Sequence, residues 1–116
     1  MDLKSNLINE YKHPHNYGKL TDYTHKLPAV NASCGDDLTI YLNVKGDIIT
    51  DVSFEGTACA ISTAATSLLT NFIKGKSIAT IKTLTPENIF ELLGTSVAPG
   101  RLRCALLPLE TLKNIQ

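Results

Sequence analysis

Three cysteines and one aspartate are the residues of this chain whose types and positions suggest chemistry. Cys34 and Asp36 flank Gly35 in the stretch Ser33-Cys34-Gly35-Asp36. Glycine permits a sharp backbone turn there, so the Cys34 sulfur and the Asp36 carboxylate can face one point. Cys59 follows Gly56 and precedes an alanine-rich segment, while Cys104 opens the last helical segment. Unpaired amide hydrogens at a helix start stabilise negative charge, lower a thiol's pKa and favour the thiolate. The thiolate is both a metal ligand and a sulfur nucleophile. A plainer reading stands beside this one. Free cysteine is commonly a small buried hydrophobe, no C-x-x-C pair marks a zinc or cluster site, and Asp36 alone reads as a solvated turn residue. Arg103 is either a solvated charge at a helix start or a fixed cation that favours the Cys104 thiolate. His13 and His15 flank Pro14 on a turn far along the sequence from the cysteines, and they read as surface rather than ligands. His25 has no informative context.

The elements that must position these residues follow from periodicity. Asp2 to Tyr11 carries Leu3, Leu7 and Ile8 at helical spacing. His13-Pro14-His15-Asn16-Tyr17-Gly18 is rich in turn formers. Leu38, Ile40, Leu42 and Val44 alternate with Thr39, Tyr41 and Asn43, the pattern of a half-buried strand. Lys45-Gly46-Asp47 reverses the chain, and Ile48 to Phe54 supplies the antiparallel partner. Ile61, Ala64, Ala65, Leu68 and Phe72 mark one face of a helix, with Gly75 just past its end. Thr85-Pro86 caps and opens a short helix through Leu93. A final helix is predicted from near Cys104 to Ile115, with Pro108 confined to its first turn because proline lacks an amide hydrogen. The order predicts an α+β fold, a small antiparallel sheet with helices packed on one face.

Composition narrows the function classes. The 116 residues suit one domain, taken here as residues 1–116, and 43% hydrophobic content suffices for a core without disulfides. Lys plus Arg and Asp plus Glu number 11 each, so the formal charge is zero and no basic stripe points to nucleic acid. The most apolar segment, Ala58 to Phe72, is interrupted by serines, threonines and Asn71, which argues against a membrane span. Three cysteines cannot all pair within one chain and no apolar leader is visible, so a reducing cytoplasm is expected.

Four ordered blocks carry a resemblance. His13-Pro14-His15-Asn16-Tyr17-Gly18, Cys34-Gly35-Asp36, Phe54-Glu55-Gly56 with Cys59-Ala60-Ile61-Ser62, and Arg101-Leu102-Arg103-Cys104 resemble the signature blocks of the U-type iron–sulfur scaffold family. That family includes IscU, SufU and the N-terminal domain of NifU, and the resemblance runs from about Tyr11 to the C-terminus. It implies that Cys34, Asp36, Cys59 and Cys104 converge at an exposed end of the fold. They would hold a transient iron–sulfur cluster, of two irons and two sulfides, or a tetrahedral zinc. The resemblance also implies a cysteine desulfurase as persulfide donor, with apo-proteins or an assembly complex downstream. Cys34 and Cys104 are the candidate persulfide acceptors, Cys34 because it adjoins the flexible Gly35 turn.

The chain departs from the pattern in informative places. IscU-type members usually carry a histidine directly before the last cysteine. Arg103 stands there instead, and a guanidinium is a poor metal ligand. The Leu-Pro-Pro-Val-Lys stretch read by a chaperone is replaced by Ser96-Val97-Ala98-Pro99-Gly100. A basic residue before the last cysteine is similar to the zinc-binding SufU branch. The segment from Gly75 to Arg101 is nevertheless too short for the insertion SufU proteins carry. Two activities are therefore implied: a scaffold that accepts sulfur and assembles or transfers a cluster, or a zinc-dependent sulfurtransferase that relays persulfide. A zinc-stabilised interaction module without sulfur chemistry is the non-catalytic alternative.

Overall fold

The computed structural model describes residues 3–94 and 97–115, with side chains from Leu7 onward except that of Cys34. Helix α1 (Leu3–Lys12) leads through the turn-rich segment to strand β1 (His25–Asn31). A 3-10 turn at Ala32–Cys34 joins β1 to β2 (Asp36–Lys45), and β3 (Ile48–Thr57) follows directly. Four α-helices follow among the described residues: α2 (Ala60–Ile73), α3 (Ile78–Thr83), α4 (Pro86–Leu93) and α5 (Leu102–Lys113). The three strands form an antiparallel sheet in the order β1-β2-β3. The α+β class, the hairpin, the long helix and the Thr85-capped helix all agree with expectation. Asp2, where the first helix was expected to begin, lies outside the described residues.

Alternation along β2 sends Leu38, Ile40 and Leu42 into the core, where they meet Ala29 of β1 and Val52 and Phe54 of β3. The register of β3 shifts opposite Asn43/Val44, so that Ile49 and Val52 both reach the core although they are three residues apart. Helix α2 crosses this apolar face against α1, α4 and α5. Its buried positions are mostly Ala, Ser and Thr, whose small size admits neighbours on several sides. The hydroxyls of Thr66 and Thr70 bond back to the carbonyls of Ser62 and Ser67, at 2.7 and 3.0 Å, which satisfies them inside the core.

Two elements were not anticipated. β1 contains Pro28 and places only Leu27 and Ala29 as inward aliphatics, so its pattern is weak; as an edge strand it tolerates the proline. α3 is six residues long, too short for a periodic signal, and is opened by Ser77, whose hydroxyl accepts from the Thr80 amide. Along the other margin of the sheet, Asn16 and Gly18 bond to the Phe54 main chain at 3.0 and 2.8 Å. Pro108 corrects the sequence reading. It is the seventh residue of α5, not a first-turn residue. No described helix is long and apolar enough to cross a membrane.

Candidate metal centre

Asp36 is the first residue of β2, and the alternation that buries Leu38 and Ile40 turns its side chain inward too. The carboxylate is 1% exposed. A buried carboxylate needs partners, and it has two: Oδ1 accepts the Cys59 amide hydrogen at 2.8 Å and Oδ2 accepts from Ser62 Oγ at 2.6 Å. Gly35 precedes it in the left-handed conformation, with φ of 71°, closing the 3-10 turn on which Cys34 is the last residue.

Cys59 is the N-cap of α2 and its Sγ accepts from the Ser62 amide at 3.4 Å. Gly56 brings this corner close to β2. It lies opposite Leu38 with φ of 125°, and a Cβ on it would stand 2.2 Å from the Asp37 carbonyl oxygen. Cys104 approaches from the other side as the third residue of α5, with 0% exposure. One oxygen of Asp36 and the sulfurs of Cys59 and Cys104 lie within 4.8 Å of one another. Among the described residues this is the only such convergence of His, Cys, Asp and Glu side chains.

The donor set suits the metals implied. Thiolates with one carboxylate bind zinc or iron. A tetrahedral ion with bonds of about 2.3 Å has ligands about 3.8 Å apart, so three atoms within 4.8 Å need close by no more than about an ångström. The placement is less open than the resemblance implied. Asp36 and Cys104 are buried because β2 directs one inward and α5 covers the other, while Cys59 is half-buried. Gly35, Thr57, Ala60 and Leu102 are exposed around them, so the site still lies near the surface.

The expected acidity of Cys59 is also corrected. Burial pushes its thiol above the ordinary value, and a hydrogen bond with Cys104 and the nearby Asp36 charge push the same way. The hydrogen bonds from Ser62 oppose that rise but do not overcome it. One helix terminus is weaker than desolvation here.

Other expected residues are placed as follows. Cys34 ends the 3-10 turn two residues before Asp36, but its side chain lies outside the described residues. Arg103 is exposed and lines a cleft of about 210 Å³ with Val30, Asn31, Leu107 and Glu110. Its side chain therefore diverges from buried Cys104, since consecutive helical residues point about 100° apart. His15 is held by Glu10, Nδ1 to Oε1 at 2.9 Å, and its amide donates to Ser67 Oγ at 2.6 Å. Neither it nor His13 joins the convergent group. Ser96 lies outside the described residues, and Pro99–Arg101 form a 3-10 turn leading into α5. The residue the sequence reading missed is Ser62. Its signal was the Cys59-x-x-Ser62 spacing, which joins an N-cap to the third residue of its helix.

A model of the NifU-like N-terminal domain matches residues 3–115. The chain belongs to the NifU-like N-terminal domain family. Within the family it is 32% identical to the zinc-dependent sulfurtransferase SufU of Bacillus subtilis, over 92% of this chain and 84% of that protein. It is 35% identical to the iron–sulfur cluster assembly scaffold protein IscU of Aquifex aeolicus, over 96% of this chain and 71% of that one. A crystal structure of a candidate iron–sulfur scaffold protein for the SUF system, from Fervidobacterium islandicum, superposes with a TM-score of 0.77 at 32% identity. That superposition covers 93% of this chain and 91% of the other. A NifU-like N-terminal domain from Brucella abortus shares the fold at 16% identity, with a TM-score of 0.71 and 97% and 94% coverage. This NifU-like chain is thus similar to members of both branches whose features its sequence mixes.

Proposed function

We propose that this chain is an iron–sulfur cluster assembly scaffold that accepts sulfur from a cysteine desulfurase. It would assemble the cluster on Cys34, Asp36, Cys59 and Cys104 and pass it to apo-proteins. The observation that carries the reading is the convergence of Asp36, Cys59 and Cys104 within 4.8 Å in a member of this family. Thiolates supply soft ligands for iron and sites for persulfide, and a carboxylate oxygen holds a soft centre less firmly, which favours release of the cargo. Cys34, on the Gly35 turn, completes the set as the fourth ligand and, with Cys104, as a persulfide acceptor. Arg103, just before Cys104, acts as a modulating cation at the rim.

The test is the iron, zinc and acid-labile sulfide content of the chain after anaerobic reconstitution with a desulfurase, cysteine, ferrous iron and a thiol reductant, which supplies the electrons that take persulfide sulfur to sulfide. Iron and sulfide in equal amounts, lost in Cys59→Ser, are expected. Zinc alone, with desulfurase turnover stimulated in the absence of iron, would replace the scaffold by a sulfurtransferase. Metal binding with no sulfur transfer would reduce the chain to a zinc-stabilised interaction module.

A further inference from the structure

Pro108 leaves one carbonyl of α5 without its regular partner. In an unbroken helix the amide of residue 108 would donate to the carbonyl of residue 104, and proline has no hydrogen to give. The carbonyl concerned belongs to Cys104. It is met from outside the helix, by Ser62 Oγ at 2.9 Å.

The same hydroxyl stands 2.6 Å from Asp36 Oδ2 and 3.5 Å from Cys59 Sγ, and the Ser62 amide donates to that sulfur at 3.4 Å. Ser62 is 0% exposed, so these contacts are shielded from bulk solvent. One buried side chain therefore touches all three residues whose donor atoms converge. A serine hydroxyl has a single hydrogen and two lone pairs. Asp36 Oδ2 and the Cys104 carbonyl compete for that hydrogen, while the Cys59 thiol can donate to the oxygen.

We infer that Ser62 is the positioning residue of the metal centre: it fixes the Asp36 carboxylate and ties the proline-interrupted turn of α5 that carries Cys104 to the start of α2. The inference rests on the scaffold reading only in taking Asp36, Cys59 and Cys104 as ligands. Ser62 is not itself a ligand in this arrangement. Residues that orient ligands in this way set metal affinity by about 10- to 100-fold.

Pro108 supplies the means of separating this role from a merely structural one. In Pro108→Ala the residue-108 amide can donate to the Cys104 carbonyl, which then needs Ser62 less. The Asp36 carboxylate gains no such substitute. The experiment is a double-mutant cycle on the full chain with Ser62→Ala and Pro108→Ala, read in two ways. Cobalt(II) titration under anaerobic conditions follows affinity and the thiolate-to-cobalt charge-transfer band, and urea unfolding of the metal-free chain follows stability. Ser62→Ala is expected to weaken cobalt binding about 10- to 100-fold in either background. Its cost in stability is expected to be smaller when residue 108 is alanine.

Wild-type affinity and spectrum in Ser62→Ala would overturn the inference. So would an affinity loss that disappears in the Pro108→Ala background, since Ser62 would then act only by holding the helix. Failure of the wild-type chain to bind cobalt through cysteine would refute the metal centre itself, a result distinct from either of these. If Ser62→Ala alone does not fold, the comparison of the double variant with Pro108→Ala still measures the affinity cost.

Discussion

Replacing Gly56 by alanine puts the packing that delivers Cys59 under direct test. Two costs add. The backbone at φ of 125° is one that side-chain-bearing residues rarely adopt, and such conformations cost about 1–3 kcal/mol. The new Cβ would also stand 2.2 Å from the Asp37 carbonyl oxygen and 3.0 Å from the Leu38 Cα. Both atoms are main chain of the central strand and cannot rotate aside, and overpacking of this kind costs about 1–3 kcal/mol. The midpoint of the sum is about 4 kcal/mol, a large part of the roughly 5–15 kcal/mol that holds a domain of this size folded. Urea unfolding followed by circular dichroism measures it. With an m-value of about 2 kcal/mol/M, the transition midpoint should fall by about 2 M. Gly46→Ala is the matched control, because Gly46 has φ of 62° and open space where its Cβ would go. It should lose only the backbone term, about 1–2 kcal/mol. If Gly56→Ala falls no further than Gly46→Ala, the close approach of β3 to β2 is not what requires glycine, and the account of how Cys59 is brought to Asp36 fails.

Three further outcomes are expected. In the metal-free chain, Cys59 should react with iodoacetamide with a pH midpoint above the ordinary 9.0. Because the unfolded thiol ionises first, the folded form holds more protons above that ordinary value, and stability should fall as pH rises through it; a Cys59→Ser variant with the same pH slope as wild type would contradict this. Asp36→Ala should weaken binding of a single cobalt ion, as Ser62→Ala does, yet yield a longer-lived cluster after anaerobic reconstitution, because the exchangeable oxygen position is gone; faster loss of the cluster's visible absorbance would count against a labile oxygen ligand. Arg103→Ala should slow persulfide loading of the chain by a cysteine desulfurase, measured by mass spectrometry of the quenched protein; an unchanged rate would remove the modulating role at the rim.

What the sequence disclosed depended on how local the signal was. The β2–β3 hairpin and α2 were legible because their apolar residues recur at fixed intervals within one element. β1 was not, because an edge strand with Pro28 and one buried apolar residue takes its structure from pairing with β2. Pro108 misled for a related reason. A helix interior accepts proline when a distant group supplies the carbonyl's partner, and Ser62 is 42 residues away along the chain. At the site, residue type and resemblance singled out Asp36, Cys59 and Cys104. That Asp36 faces inward was readable by extending the alternation of Leu38 and Ile40 back by two residues. The raised Cys59 pKa was not readable, because desolvation is a property of the assembled corner rather than of a helix start.

The two margins of the sheet bear on how this chain behaves at high concentration. Open strand edges are templates on which a second molecule can polymerise. Here the Asn16–Gly18 segment occupies the main chain of Phe54 on one side, and the edge strand on the other carries Pro28, a residue with no amide hydrogen to offer an added strand. The chain is thereby shielded from growing into fibrils by strand addition. Any partner must accordingly recognise the chain through side chains and loop surfaces rather than by adding a strand to its sheet.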